Sequence, residues 1–254
     1  PKVNHFYCSR KSAWYTLWLS VPSLLPPAIN CWVDNIKLLY DPKTKRYSNN
    51  IGVETRTPGW GTTEGIEYLD KKIKAGDSNY FHDLVEAFVD AGGVRNVSIR
   101  GSPYDFRYAP QSAYDGRWKD MMASLVEETY HINGNRKVTL LSHSMGCLYS
   151  LWFLNQMPQG WKDKFLHRWI ATSGVFGGAG TGILQLLSGS SEGIPGVTGM
   201  TVRDEQRSYE SSMILVPTAQ VWGGEPLVAT PARNYSAAEF GELFSGLAAD
   251  GDFA

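Results

Sequence analysis

The stretch Lys137-Val138-Thr139-Leu140-Leu141-Ser142-His143-Ser144-Met145-Gly146-Cys147-Leu148 constrains the fold of this chain more than any other. Val138 to Leu141, apolar and β-branched, read as a buried strand. A corner of small residues follows, with Ser142 and Gly146 two positions either side of Ser144. Met145, Leu148, Tyr149, Leu151 and Trp152 then make an almost wholly apolar helix. A strand that turns sharply into a helix holds the corner residue in a strained backbone conformation and projects its side chain from the sheet. The flanking positions must therefore be small: Gly146 fits, and Ser142 stands where a glycine is usual. Ser144 is the candidate nucleophile, and the Met145 N–H, at the start of the helix, can face a developing oxyanion.

Strand, small-x-Ser-x-Gly corner and helix in this order form the nucleophile elbow of an α/β-hydrolase fold. The bare pattern is weak, because Gly and Ser each make up about 7% of residues in ordinary chains, so its context must carry the reading. Upstream, Phe81, Leu84, Val85 and Phe88 repeat at helical spacing, with Ser78 as a capping candidate and Gly92-Gly93 as a stop. Val94 to Arg100 reads as the next strand. Its exit, Arg100-Gly101-Ser102-Pro103-Tyr104-Asp105-Phe106-Arg107, would lie at the carboxyl end of that strand, where open α/β sheets place their sites. There Asp105 reads as an ion-pair partner of Arg100 or Arg107. Trp118, Met122, Leu125 and Val126 mark the helix before the elbow, and Arg168 to Thr172 a strand after it. Helix, strand, helix, strand predicts an α/β fold with a mostly parallel sheet, right-handed crossovers and helices on both faces.

Earlier, Trp32, Ile36, Leu38 and Tyr40 lead into a polar turn with Pro42, Lys43, Lys45 and Arg46, a hairpin pattern. Another short strand is expected to end at Pro58-Gly59-Trp60-Gly61. From Gly174 onward the pattern dissolves: Gly177-Gly178, the Gly/Ser-rich run 188–199 and the charged run Arg203 to Arg207 read as a lid and its anchor. No internal repeat or metal-ligand spacing occurs, and no cofactor is implied.

A net charge of −1 gives no nucleic-acid footprint, whereas 13% aromatic residues with nine Trp point to an apolar ligand or an interface. No apolar run reaches the length of a membrane span and no signal peptide is visible. The chain opens at Pro1 rather than Met, and the expectation is a processed or truncated protein. Cys8 and Cys31 enclose about two dozen residues, and a bridge there would be worth roughly 3 kcal/mol. Cys147, in the apolar helix, reads as a buried free thiol. A disulfide favours the secretory pathway over the cytosol. Residues 8–31 carry Trp14, Tyr15, Leu17, Trp18, Leu19, Val21, Leu24, Leu25 and Ile29, broken by Pro22, Pro26 and Pro27. That is more apolar surface than a small excursion can bury alone. It reads as a membrane-touching or acyl-chain-binding unit with Trp14, Leu17, Trp18, Leu24 and Leu25 at lipid; the alternative is that it packs wholly onto the main domain. The expected organisation is an excursion over 8–31, a partial core over 32–174 and a lid region over 175–254.

With these pieces in order, the chain resembles the family of lysosomal phospholipase A(2) and lecithin–cholesterol acyltransferase. The resemblance rests on Cys31-Trp32-Val33-Asp34-Asn35-Ile36, Pro58-Gly59-Trp60-Gly61, Arg100 to Arg107, Ser142-His143-Ser144-Met145-Gly146, Trp161-Lys162-Asp163-Lys164 and Glu205-Gln206-Arg207-Ser208, in family order over nearly the whole length. It implies that Ser144 accepts an acyl group and that Met145 supplies an oxyanion N–H. It further implies that Cys8 and Cys31 close a lipid-binding subdomain, that residues near 186–205 form the lid, and that Asn234-Tyr235-Ser236 is a glycosylation site. Asn96-Val97-Ser98 is a second sequon, whose strand position would make it a poor acceptor. Phe106 and Phe176 stand where the family usually has tryptophan.

In this fold the triad runs Ser, acid, His, yet no histidine follows His167. His167, just before the Arg168 strand, should lie ~16 Å from Ser144, at about five residues of ~3.3 Å each. His131 fails similarly, His143 should point away from Ser144, and His5 and His82 precede it. The resemblance also implies an early core strand, with the second oxyanion donor, that this chain lacks. The expectation is a piece of a longer enzyme, nearly inert alone because serine catalysis without its base loses several orders of magnitude. The implied activity is phospholipid acyl hydrolysis and O-acyl transfer at phospholipid membranes or a lipoprotein surface, with water or a lipid alcohol as acceptor, in a lysosomal or secreted protein. A non-catalytic lipid-binding module and a soluble carboxylesterase are the competing readings.

Overall fold

The computed structural model describes residues 8, 11–70, 72–74 and 76–249, and a disulfide joins Cys8 to Cys31. After a 3₁₀ turn over Val21–Leu24, helix α1 (Ala28–Ile36) buries Ile29, Trp32 and Ile36 on one face. Those three recur at spacings of three and four, the period of a helix. The hairpin reading therefore holds only from Leu38: β1 (Leu38–Asp41) pairs antiparallel with β2 (Arg46–Asn49), and Lys45 takes the left-handed conformation in the turn, φ +54°.

The short α2 (Glu64–Glu67) and then α3 (His82–Asp90) follow. Ser78 does not cap α3. Its hydroxyl accepts the Asp70 N–H at 2.8 Å and donates to the Asp70 carbonyl at 3.0 Å, closing a local loop instead. No ladder forms at 53–61, and Val94 to Arg100 is a turn rather than a strand, with the N–H groups of Val97, Ser98 and Ile99 all returning to the Val94 carbonyl. A strand exists only where a neighbour completes its ladder, and among the described residues the two segments meet only through isolated bonds such as Gly61 N–H to the Gly101 carbonyl at 2.8 Å.

Helix α4 (Trp118–Ile132) leads into β3 (Val138–His143), α5 (Gly146–Gln156), α6 (Gln159–Phe165) and β4 (Leu166–Thr172). β3 and β4 are parallel, with Leu140 opposite Trp169 and His143 opposite Thr172. Parallel neighbours need a crossover, which α5 and α6 supply. Then come α7 (Gly180–Leu187), α8 (Gly199–Arg207), α9 (Glu210–Ile214), α10 (Ala219–Trp222), the antiparallel pair β5 (Pro226–Ala229) and β6 (Asn234–Ser236), and α11 (Phe240–Ala249). The order is that of an α/β chain, but among the described residues each sheet has two strands, less than the wide parallel sheet the pattern predicts.

Two cores position the site. One packs Trp118, Val126, Leu140, Tyr149, Phe153 and Phe165 between α4, β3 and α5. The other joins Leu24 and the buried face of α1 to Leu38, Val202 and Tyr209, so that the disulfide-closed excursion and α8 share one interior. Arg107, 2% exposed, ties this second core together. It pairs with Asp105 at 2.6 Å and donates to the Ile36 carbonyl, Asn49 Oδ1 and Thr55 Oγ1. Of the two arginines weighed for Asp105 the fold selects Arg107, and Arg100 pairs with Glu128 at 3.0 Å.

Candidate active site

Ser144 sits between the end of β3 and the start of α5 with φ +52°. A serine in the left-handed region costs about 1–2 kcal/mol and persists only where its surroundings over-determine it. Here they do. The Ser144 N–H donates to the Thr172 carbonyl of β4 at 3.0 Å, and its own carbonyl accepts the Cys147 N–H of α5 at 3.0 Å. Ser142, just below, is buried. Its hydroxyl accepts the Trp169 Nε1–H at 2.7 Å and lies 3.5 Å from the Cys147 sulfur, so the residue in the usual glycine position is held by β4. Cys147 is a free, fully buried thiol, as expected. A Cβ on Gly146 would meet Tyr104 Oη at 3.5 Å, an ordinary contact, so the described residues do not themselves demand glycine there. Met145 precedes the first helical residue, and its N–H lies outside the α5 ladder at the positive end of the helix dipole.

The histidines fall where chain order predicts. His167 lies near the start of β4, the far end from Ser144, beside the Arg168 guanidinium. His131 bonds Asn135 beyond α4 at 3.1 Å. His143 shares a 2.7 Å hydrogen bond through Nδ1 with Tyr80 Oη. His5 lies outside the described residues. Among the described residues none of the histidines hydrogen-bonds Ser144 Oγ. His82 belongs to a cluster that no sequence spacing revealed: its Nδ1 is 2.9 Å from Glu67, and ligand atoms of Glu67, His82 and Glu86 lie within 4.8 Å of one another. Arg95 bridges both carboxylates. Burial alone would raise the Glu67 pKa, but bonds from Arg95, Thr63 and His82 outweigh it and hold the group at about 2. With a guanidinium already balancing the carboxylates, the cluster reads as an ion-pair clamp rather than a metal site.

A cavity of about 1590 Å³ runs from Trp14, Leu17 and Trp18 of the excursion past Tyr104 and Tyr149 to His143 and Gly146. The excursion residues divide. Trp14 and Leu25 are 55% and 49% exposed, with the Arg56 guanidinium 4.2 Å over the Trp14 ring. Leu24 is 1% exposed under α1, so it is a core residue and cannot meet lipid. Leu17 and Trp18 are partly buried against the same core. The Leu17 carbonyl accepts Trp32 Nε1–H at 2.8 Å, and the Trp18 ring lies 5.2 Å from Phe106. Phe106 in turn meets Tyr209 edge-on, and Phe176 meets Trp169.

The Gly/Ser-rich run spans α7 to α8, and the charged run read as its anchor forms most of α8. Gln206 bonds Ser190 through both N–H and carbonyl, Arg207 Nε donates to the Leu186 carbonyl at 2.6 Å, and Ser208 Oγ accepts the Leu38 N–H at 2.9 Å. Glu205, 2% exposed, faces Tyr209 at the edge of the second core, and its Oε2 and the Tyr209 hydroxyl are both buried. Burial pushes the Glu205 pKa up to about 8, with Tyr209 and Arg107 pulling it back and Glu192 adding to the rise. The signal for this pair is its helical register: Val202, Glu205 and Tyr209 lie three and four apart.

Comparison with known proteins shows the family. The family model for lecithin:cholesterol acyltransferase matches residues 14–247. The lysosomal phospholipase A and acyltransferase of Canis lupus familiaris is 37% identical over 246 residues, covering 96% of this chain and 59% of that protein. The human protein of the same name gives the same identity and coverage. The phosphatidylcholine-sterol acyltransferase of Mus musculus is 37% identical over 249 residues, 97% of this chain and 56% of the relative. The chain thus spans a little under three fifths of the length of the relatives it matches. Within that span lie the β3–α5 corner, residues 14–31 up to the Cys8–Cys31 disulfide and α8, and on the strength of this match the chain belongs to the lecithin:cholesterol acyltransferase family.

Proposed function

We propose that Ser144 is the nucleophile of a phospholipid acyl hydrolase and O-acyltransferase. The observation that carries this reading is the position of the left-handed Ser144 at the corner between a parallel strand and a helix N-terminus, where its side chain leaves the sheet beside the Met145 N–H. Ser144 Oγ attacks the ester carbonyl, the Met145 N–H steadies the oxyanion, the lyso-lipid leaves, and water or a lipid alcohol then takes the acyl group from the serine. The cavity that joins the elbow to the excursion offers apolar walls for an acyl chain. Exposed Trp14 and Leu25 are the groups we assign to the phospholipid or lipoprotein surface, with Leu17 and Trp18 facing the cavity. The Cys8–Cys31 disulfide and the exposed Asn234 sequon support a lysosomal or secreted protein, and no described helix is long and apolar enough to cross a membrane.

The described residues supply the nucleophile and one oxyanion donor but no base. Fluorophosphonate labelling with peptide mapping tests the assignment: the adduct should form on Ser144 and vanish in Ser144→Ala. An adduct that survives the substitution would sink the assignment. Binding to phosphatidylcholine vesicles that falls in Trp14→Ala and Leu25→Ser, with no adduct at Ser144, would favour a non-catalytic lipid-binding module.

A further inference from the structure

The turn over Val94 to Arg100 changes the standing of a second sequon. Read as a strand, Asn96-Val97-Ser98 would bury its acceptor side chain. In the fold all three residues are exposed. Asn96 takes the left-handed conformation, φ +65°, which asparagine tolerates better than most residues. Its N–H donates to the Ile99 carbonyl at 2.8 Å, and the Ser98 hydroxyl accepts the Val94 N–H at 2.8 Å, so the turn is self-contained. Asn96 Oδ1 accepts the Thr63 N–H at 2.9 Å, which fixes the carboxamide plane. Nδ2, the atom to be modified, makes no hydrogen bond among the described residues. Val94 and Val97, in the same turn, are 55% and 39% exposed. The turn is tied to the end of α4 by Asn133 Nδ2, which donates to the Val97 carbonyl at 2.9 Å.

We propose that Asn96 carries an N-linked oligosaccharide. An oligosaccharyl transferase would supply it from a lipid-linked diphosphate donor. The bond from sugar C1 to the diphosphate oxygen breaks, a bond from C1 to Asn96 Nδ2 forms, and the displaced Nδ2 proton leaves with the diphosphate lipid and its surrounding bases. The Cys8–Cys31 disulfide places folding in a compartment where that donor is met. Asn96 itself is not among the residues that line the cavity. A glycan on Asn96 would stand beside exposed Val94 and Val97.

The test is site occupancy of the chain secreted through a eukaryotic endoplasmic reticulum, read by peptide-N-glycosidase digestion and mass spectrometry. The Asn96 peptide should carry glycan in most molecules. Asn96→Gln and Ser98→Ala should each remove one glycan's mass, and Ser98→Thr, which keeps the acceptor triplet, should retain it. Acceptor use is settled on the nascent chain, so the readout holds even if a variant folds poorly. An unmodified Asn96 peptide overturns the proposal, whether Asn234 is occupied or not. The result is independent of whether Ser144 is a nucleophile.

Discussion

The β3–α5 corner and helix α8 both hold a residue where an ordinary chain would not put it, and they do so by opposite means. At Ser144 the unusual quantity is backbone conformation, φ +52°, and the restraints are backbone hydrogen bonds to residues three positions on and across one strand pair. At Glu205 the backbone is plain helix, and the unusual quantity is a buried carboxylate facing the Tyr209 hydroxyl. Its surroundings come from far along the chain: Leu38 reaches Ser208, and Arg107 gathers Ile36, Asn49 and Thr55. The first kind of strain is local and insensitive to pH; the second is assembled from a distance and titrates.

That contrast breaks most readily at Arg107. Arg107→Leu leaves the Asp105 carboxylate and three acceptors unmatched, and should lower stability by about 3–5 kcal/mol in urea unfolding. Hydrogen exchange should quicken in α1 and α8 while the amides of 144–149 keep their protection. Equal loosening of both regions would mean that they are one unit. Next in size, Cys8→Ser with Cys31→Ser should cost roughly 3 kcal/mol by releasing the 23-residue separation in the unfolded chain.

The pH response sharpens the comparison. Glu205 holds its proton up to about 8 in the folded state against 4.5 for an unperturbed glutamate, so the folded state binds more protons between those limits. Stability contributed by this site is full below about 4.5 and falls as pH rises through 8. Tyr209, Glu192 and Arg107 are the groups that face it. Glu205→Gln should flatten the slope of the urea midpoint with pH over that window; an unchanged slope would show that Glu205 is not the group responsible. Glu67 has the reverse sign: its contribution is present above about 4.5 and is lost as pH falls toward about 2.

Smallest are the elbow variants. Ser144→Gly should stabilise the fold by about 1 kcal/mol, since glycine enters the left-handed region without penalty. Trp169→Phe should cost about 1 kcal/mol by removing the donor to Ser142, and the loss should shrink in the Ser142→Ala background. Additive costs would deny that the two side chains act as a pair.

The same contrast explains what was legible in the sequence. The β3–α5 corner is written in twelve consecutive residues, and β4, α4 and the hairpin from Leu38 likewise follow from local period. Val94 to Arg100 has strand composition but no neighbour to complete a ladder, and composition does not report a neighbour. Leu24 and Leu25 look alike in the chain, yet only the packing of α1 decides that one is buried and the other exposed. Glu205 sits in a run that reads as a charged anchor; its burial comes beside Arg107 and Tyr209, and Tyr209 packs in a core with Leu24 and Trp32, more than a hundred residues away.

The most direct measurement is fluorophosphonate reaction of the folded chain, mapped by mass spectrometry and compared with Ser144→Ala. The account predicts one adduct, on Ser144, absent from the variant and formed slowly because no described histidine reaches Oγ. Modification elsewhere, or an adduct indifferent to Ser144→Ala, would contradict the elbow as the reactive centre. Rapid labelling at Ser144 would keep the nucleophile and refute the missing base.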